Sequence, residues 1–165
     1  VQTCALPILL NHLHRTEPLS LLGSAGGGLG YSGGIALGAK LACPEARVVQ
    51  VVGDGGFHFS TPTSVYATSQ NYGLPIFTVV LDNGGWQAVK ESVVRMHPQG
   101  VASQEDQFQS RLQGTHRHFE QVAQAFGAYG EFVSDPADVP AAIARCLHAL
   151  DKGRSALLNV QIGLQ

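Results

Sequence analysis

Two short segments hold the residues whose chemistry is easiest to name. Gly53-Asp54-Gly55-Gly56 ends the run Arg47-Val48-Val49-Gln50-Val51-Val52, and Asp82-Asn83-Gly84-Gly85 ends the run IFTVVL at residues 76–81. An Asp carboxylate, an Asn amide oxygen and a nearby backbone carbonyl are hard oxygen donors. They suit Mg2+, which completes its octahedron with phosphate oxygens and water. Glycines let backbone N–H groups approach the same phosphates. Taken singly, Gly-Asp-Gly and Asp-Asn-Gly-Gly are ordinary turn sequences. As a pair, each ending a buried strand, they point to a metal–phosphate site.

The elements that must position these residues follow from hydrophobic patterning. Residues 47–52 and 76–81 are nearly continuous apolar, β-branched runs, the mark of strands buried on both faces. Asn83 follows Asp54 by 29 residues, room for one helix and one strand. Ser60 or Thr61 is placed to cap that helix, with Pro62 at its first position and Gly73 closing it. Ligands of open parallel sheets bind beyond the carboxyl ends of the strands, so both motifs are expected at one sheet edge. A small-residue helix is expected from Ser32 to Ala42, and others over 118–126 and from Asp135-Pro136 to about Leu150. Further strands are expected at 131–133 and 156–162. The polar stretch 92–116 has no clean periodicity and reads as a loop, part of a lid. Strands alternating with helices predict an α/β fold, a doubly wound and mostly parallel sheet with helices on both faces.

Composition narrows the function classes. The chain has 165 residues, enough for one domain with a sizeable core, and its 44% apolar and 13% charged content excludes a disordered tail. A formal charge of −2 argues against a nucleic-acid or membrane-surface partner. No apolar run approaches the ~18–20 residues that span a bilayer. Cys4, Cys43 and Cys146 are scattered, fit no zinc pattern and suggest a reducing, cytoplasmic setting. Cys43 and Cys146 read as small buried apolar residues. Residues 1–8, VQTCALPI, back-translate to the end of a common short-read sequencing adapter. That predicts a non-native leader over 1–8, a single domain over 9–165, and a gene cut upstream of it.

Gly53-Asp54-Gly55 followed by Asp82-Asn83-Gly84-Gly85 resembles the metal–diphosphate motif of thiamine diphosphate enzymes. The segment from Leu29 to Lys40 (LGYSGGIALGAK) is similar to the one preceding that motif in the acetolactate synthase and benzoylformate decarboxylase group, as are HFEQVAQAFG at 118–127 and Asp135-Pro136 downstream. The resemblance runs from about residue 19 to 162. It implies that Asp54 and Asn83 give side-chain oxygens to Mg2+ and Gly85 its carbonyl. It implies that Gly53, Gly55 and Gly56 surround the diphosphate, the last two through N–H groups. Leu29 would prop the bent cofactor, and the Gly27 carbonyl would accept a hydrogen bond from its aminopyrimidine.

There are departures from that family. Gly56 stands where serine is usual, Asp82 where the first asparagine is usual, and the interval between the ligands is about two residues longer. The glutamate that activates the pyrimidine belongs, in the family, to an N-terminal domain of a partner subunit in a homo-oligomer. Neither Glu17 nor Glu91 lies in a matching motif, so no catalytic residue is assigned. The intact protein is expected to be a 2-keto acid decarboxylase or carboligase resembling acetolactate synthase, with this chain inactive alone. Rival readings are a non-catalytic cofactor-binding fragment or scaffold subunit, and a nucleotide-binding Rossmann domain suggested by Gly28-x-Gly30-x-x-Gly33. The last is weak, because the expected acidic residue lies inside Gly-Asp-Gly. His116-x-His118 reads as a solvated pair, His58 as helix-edge packing or a substrate contact, and Trp86 as packing beneath the cofactor loop.

Overall fold

A computed structural model describes residues 11–13, 17–18, 20–23, 28–112, 114 and 117–163. Four strands form one all-parallel sheet in the order β1-β2-β4-β3: β1 (Val49–Gly53), β2 (Phe77–Asp82), β3 (Tyr129–Val133) and β4 (Ala156–Gln161). The helices are α1 (Ser32–Ala42), α2 (Asp54–Phe59), α3 (Pro62–Tyr72), α4 (Gln87–Met96), α5 (Val101–Gln104), α6 (Phe119–Gln124) and α7 (Val139–Asp151). This is the doubly wound parallel architecture expected from the alternation of strands and helices. Among the described residues no helix is long and apolar enough to cross a membrane.

Side chains alternate across the strands, so the sheet builds a separate core on each face. On one face Val52, Val80 and Leu157 meet Phe57 of α2, Tyr66 of α3 and Phe119 of α6. The rings of Phe57 and Phe119 lie edge to face with centroids 5.4 Å apart. On the other face Phe77, Leu158 and Val133 meet Ala142, Cys146 and Leu150 of α7. A buried polar relay ties α1 to the sheet: Thr78 Oγ1 donates to Gln50 Oε1 at 2.9 Å, and Gln50 Nε2 donates to Ser32 Oγ at 2.8 Å.

Several local expectations need correction. The glycines after β1 form a helix rather than an open turn: Gly53 is an extended N-cap and Asp54 the first residue of α2. Buried Phe57 anchors that short helix in the core, overriding the low helix propensity of Gly55 and Gly56. Thr61 takes the N-cap position of α3 with Pro62 first in the helix, one of the two placements expected, but its side chain makes no capping bond. Ser60 Oγ donates back to Phe57 O at 2.6 Å, closing α2, while Thr61 is left-handed with φ 48°. The stretch read as an unpatterned lid contains α4, which begins upstream at Gln87, and α5. No residue of α4 is fully buried. Asp135 does cap, accepting from Ala137 N at 2.8 Å at the start of the 3-10 turn Pro136–Asp138 that leads into α7. Cys146 is buried as expected, whereas Cys43 ends α1 and is exposed. The leader assigned to residues 1–8 lies outside the described residues.

Candidate functional site

The parallel register of β1 and β2 sets Gly53 opposite Leu81, so Asp54 and Asp82 leave the sheet side by side. Asp54 is only 1% exposed, and its carboxylate is encircled by backbone donors. Oδ1 accepts from Gly55 N at 2.8 Å, while Oδ2 accepts from Gly84 N at 2.8 Å and Gly85 N at 2.6 Å. The second motif is thus folded onto the carboxylate of the first. A bridge from the far side holds it there: Trp86 N donates to Ser110 O at 2.8 Å, and Leu112 N donates to Gly84 O at 2.7 Å. Gly85 has φ +141°, and a Cβ on it would run into the Ser110 carbonyl, so glycine is required.

One terminal atom of the Asn83 amide lies 3.2 Å from Asp54 Oδ1 and 2.9 Å from Gly85 O. With nitrogen in that position, Asn83 donates to both oxygens. With oxygen there, it stands from each of the other two oxygens at the separation that adjacent ligands keep around Mg2+, about 3.0 Å for bonds of about 2.1 Å. The donor set contains a single carboxylate, consistent with the lack of any cluster of three His, Cys, Asp or Glu side chains among the described residues. The cradle therefore fits a hard divalent cation.

Burial pushes the Asp54 carboxyl up to about 6; the Gly55 N–H pulls the other way, and the adjacent Asp82 adds to the rise. Asp82, also 1% exposed, is held by a buried arginine that motif reasoning missed. Arg117 Nε donates to Asp82 Oδ1 at 2.7 Å and Oδ2 at 3.0 Å, and its Nη1 donates to Gly114 O at 2.5 Å. The Arg117 carbonyl in turn accepts from buried Asn159 Nδ2 at 2.6 Å, which fixes the arginine to the middle of β4. The one sequence signal for Arg117 was indirect: an extra buried carboxylate at Asp82 calls for a cation.

The remaining expected residues are placed as follows. Gly30, with φ +87°, packs against the Phe59 carbonyl, and this brings the half-exposed Leu29 beside the end of α2. The Gly55 N–H donates to Asp54 Oδ1, and the Trp86 indole lies where a Cβ would stand, at 2.5–2.6 Å. Gly56 is buried, and a Cβ there would sit 3.1 Å from Val52 Cγ2. Trp86 packs against His58 and Phe59, with ring centroids 5.7 and 5.2 Å away. His118 begins α6, with Nδ1 2.9 Å from Glu120 Oε1, while Gly27 and His116 lie outside the described residues.

Residues 3–160 match the family model "Thiamine pyrophosphate enzyme, C-terminal TPP binding domain". The chain is 33% identical over 134 residues to a probable acetolactate synthase of Mycobacterium bovis, an alignment covering 81% of this chain and 22% of that protein. It is 30% identical over 161 residues to 2-hydroxyacyl-CoA lyase 1 of Mus musculus, covering 90% and 25% respectively. A benzoylformate decarboxylase of Pseudomonas aeruginosa is 35% identical over 88 residues, covering 53% and 16%. Among solved structures, the thiamine diphosphate-dependent 4-hydroxybenzoylformate decarboxylase of Rhodococcus jostii RHA1 superposes with a TM-score of 0.66 at 21% identity, covering 83% of this chain and 24% of that one, a likeness of fold. The matches span about a sixth to a quarter of the length of these proteins. With the fold, the paired motifs and a match over nearly its whole length, the chain belongs to the thiamine pyrophosphate enzymes, as their C-terminal TPP-binding domain.

Proposed function

We propose that this chain binds thiamine diphosphate through Mg2+ as part of a 2-keto acid decarboxylase or carboligase. The observation that carries the reading is the Asn83 amide, one of whose terminal atoms lies 3.2 Å from Asp54 Oδ1 and 2.9 Å from Gly85 O. The Asp54 carboxylate, the Asn83 amide oxygen and the Gly85 carbonyl would hold the metal, with phosphate oxygens and water completing its shell. Gly53 and Gly56, at the start of α2, would lie along the diphosphate, and Leu29 beside the helix's other end would support the bent cofactor. When bound, the cofactor supplies the carbon nucleophile that adds to the keto group and the electron sink that permits loss of CO2.

The chain's own work in that chemistry is to bind and orient. Three backbone N–H groups fix the Asp54 carboxylate, so the metal ligands are pre-set rather than ordered on binding. The activating glutamate is proposed to come from another domain or subunit, which leaves this chain alone without turnover. Asp54 also bears on the Rossmann alternative, since both its oxygens are turned onto the Gly55, Gly84 and Gly85 amides rather than outward toward a ribose.

Calorimetric titration of thiamine diphosphate, with and without Mg2+, tests the reading. Binding is expected to need the metal and to be lost in both Asp54→Ala and Asn83→Ala. Asn83 is only partly buried, so its variant keeps the fold. Metal-independent binding, or unchanged affinity in both variants, would sink the assignment.

A further inference from the structure

Asp82 puts a second buried carboxylate beside the proposed metal ligand Asp54, close enough that the Gly84 N–H donates to both. Left unpaired, it would add a full negative charge to the cradle and offer two more oxygens to a cation. The structure removes both effects with one side chain. Arg117 reaches Asp82 from 35 positions away with Nε within 2.7 and 3.0 Å of its two oxygens, in a pair nearly closed to solvent. Gly84 N adds a second donor to Oδ1, at 3.2 Å. Arg117 is itself held by its bond to Gly114 O and by the Asn159 side chain on its carbonyl.

We propose that Arg117 is a positioning residue that neutralises Asp82 and keeps its oxygens off the cation, so that a metal bound by Asp54, Asn83 and Gly85 keeps open positions for diphosphate. The charges follow simply. Asp82 and Arg117 cancel, leaving the single charge of Asp54, and a divalent cation then makes the site net positive and attractive to a polyanion. Without Arg117 the loaded site is neutral, and the freed Asp82 competes for the coordination positions that phosphate oxygens need. The inference rests on the metal reading above and deepens it. Arg117 would set the balance between holding the ion and holding the cofactor.

The test uses two probes on the full chain: Mn2+ alone, followed by its free-ion paramagnetic resonance signal, and thiamine diphosphate at saturating Mn2+, followed by calorimetry. Arg117→Met is expected to tighten Mn2+ binding and weaken diphosphate binding, each on the order of tenfold. Arg117→Met combined with Asp82→Asn is expected to return both to near wild type. A residue that only supports the fold would move both affinities in the same direction or neither, and either result overturns the proposal. If Arg117→Met does not fold, Asp82→Asn alone reads the same charge with the opposite sign. Mn2+ alone should then bind on the order of tenfold more weakly, and unchanged or tighter binding overturns the proposal. Wild-type chain that binds neither probe would instead sink the metal reading itself.

Discussion

Replacing Gly85 with alanine tests the geometry of the site most directly. Its φ of +141° lies where an L side chain is strained, at a cost of about 1–3 kcal/mol. The added Cβ would also collide with the Ser110 carbonyl and stand 3.0 Å from Arg111 Cα and Leu112 N, all of them backbone atoms that cannot swing aside as a side chain does. The bridge must then open, breaking Trp86 N to Ser110 O and Leu112 N to Gly84 O. Two such bonds are worth about 1 kcal/mol each. The sum, roughly 3–5 kcal/mol, is a large share of a typical domain's stability of about 5–15 kcal/mol. For a chain of this size it corresponds to a fall of roughly 6–20 °C in melting temperature. Urea denaturation in EDTA measures the loss without any contribution from metal, and calorimetry with Mg2+ and thiamine diphosphate should show binding abolished because the Gly85 carbonyl has moved. Stability within about 0.5 kcal/mol of wild type, with cofactor binding intact, would refute the claim that this bridge positions the carbonyl.

Two further outcomes follow from titrating groups. Asp54, raised from 3.8 to about 6, holds its proton more tightly folded than unfolded, so the stability it contributes is full below about pH 4 and is lost as pH rises through 6. The metal-free wild type should therefore fall in stability from pH 5 to 7.5 relative to Asp54→Asn, and Mg2+ with cofactor should remove the fall by taking the ionised form; a flat difference between the two proteins contradicts this. Burial, with Glu131 adding to it, pushes the Cys146 thiol up to about 12, whereas Cys43 is exposed. Peptide mapping after alkylation at pH 8 should find Cys43 modified in the native protein and Cys146 only after unfolding, and equal labelling would contradict the packing of α7.

How much could be read in advance depended on how local the cause was. The strands that carry the site were legible because burial on both faces leaves an unbroken β-branched run, as in Phe77–Asp82. The pairing of the two motifs was legible from their spacing, which leaves room for a crossover and one strand, although the crossover is built of two helices, α2 and α3, rather than the one expected. Helix α2 was not, because glycines argue locally for a turn and only Phe57 in the core makes the helix hold. Helix α4 was missed because a reading that began at Ser92 cut off its first turn and a half, Gln87–Glu91, and left too short a piece to show a helical period. The exposure of Cys43 was missed because being placed near a helix end says nothing of which side it faces.

The chain's own order of residues thus determined which oxygen donors exist and that two of them end buried strands. Those facts rest on residue type and short-range periodicity, which need no knowledge of the rest of the molecule. Tertiary structure decided that Gly53 pairs with Leu81, so that Asp54 and Asn83 meet. It also decided that Ser110 and Leu112 clamp the Gly84–Trp86 loop and that Arg117 closes on Asp82. Each of these joins segments about 25 or more residues apart, through backbone register or a buried ion pair. Such partners are chosen by the path of the intervening chain and the need to satisfy buried charge, neither of which leaves a periodic mark in the residues themselves.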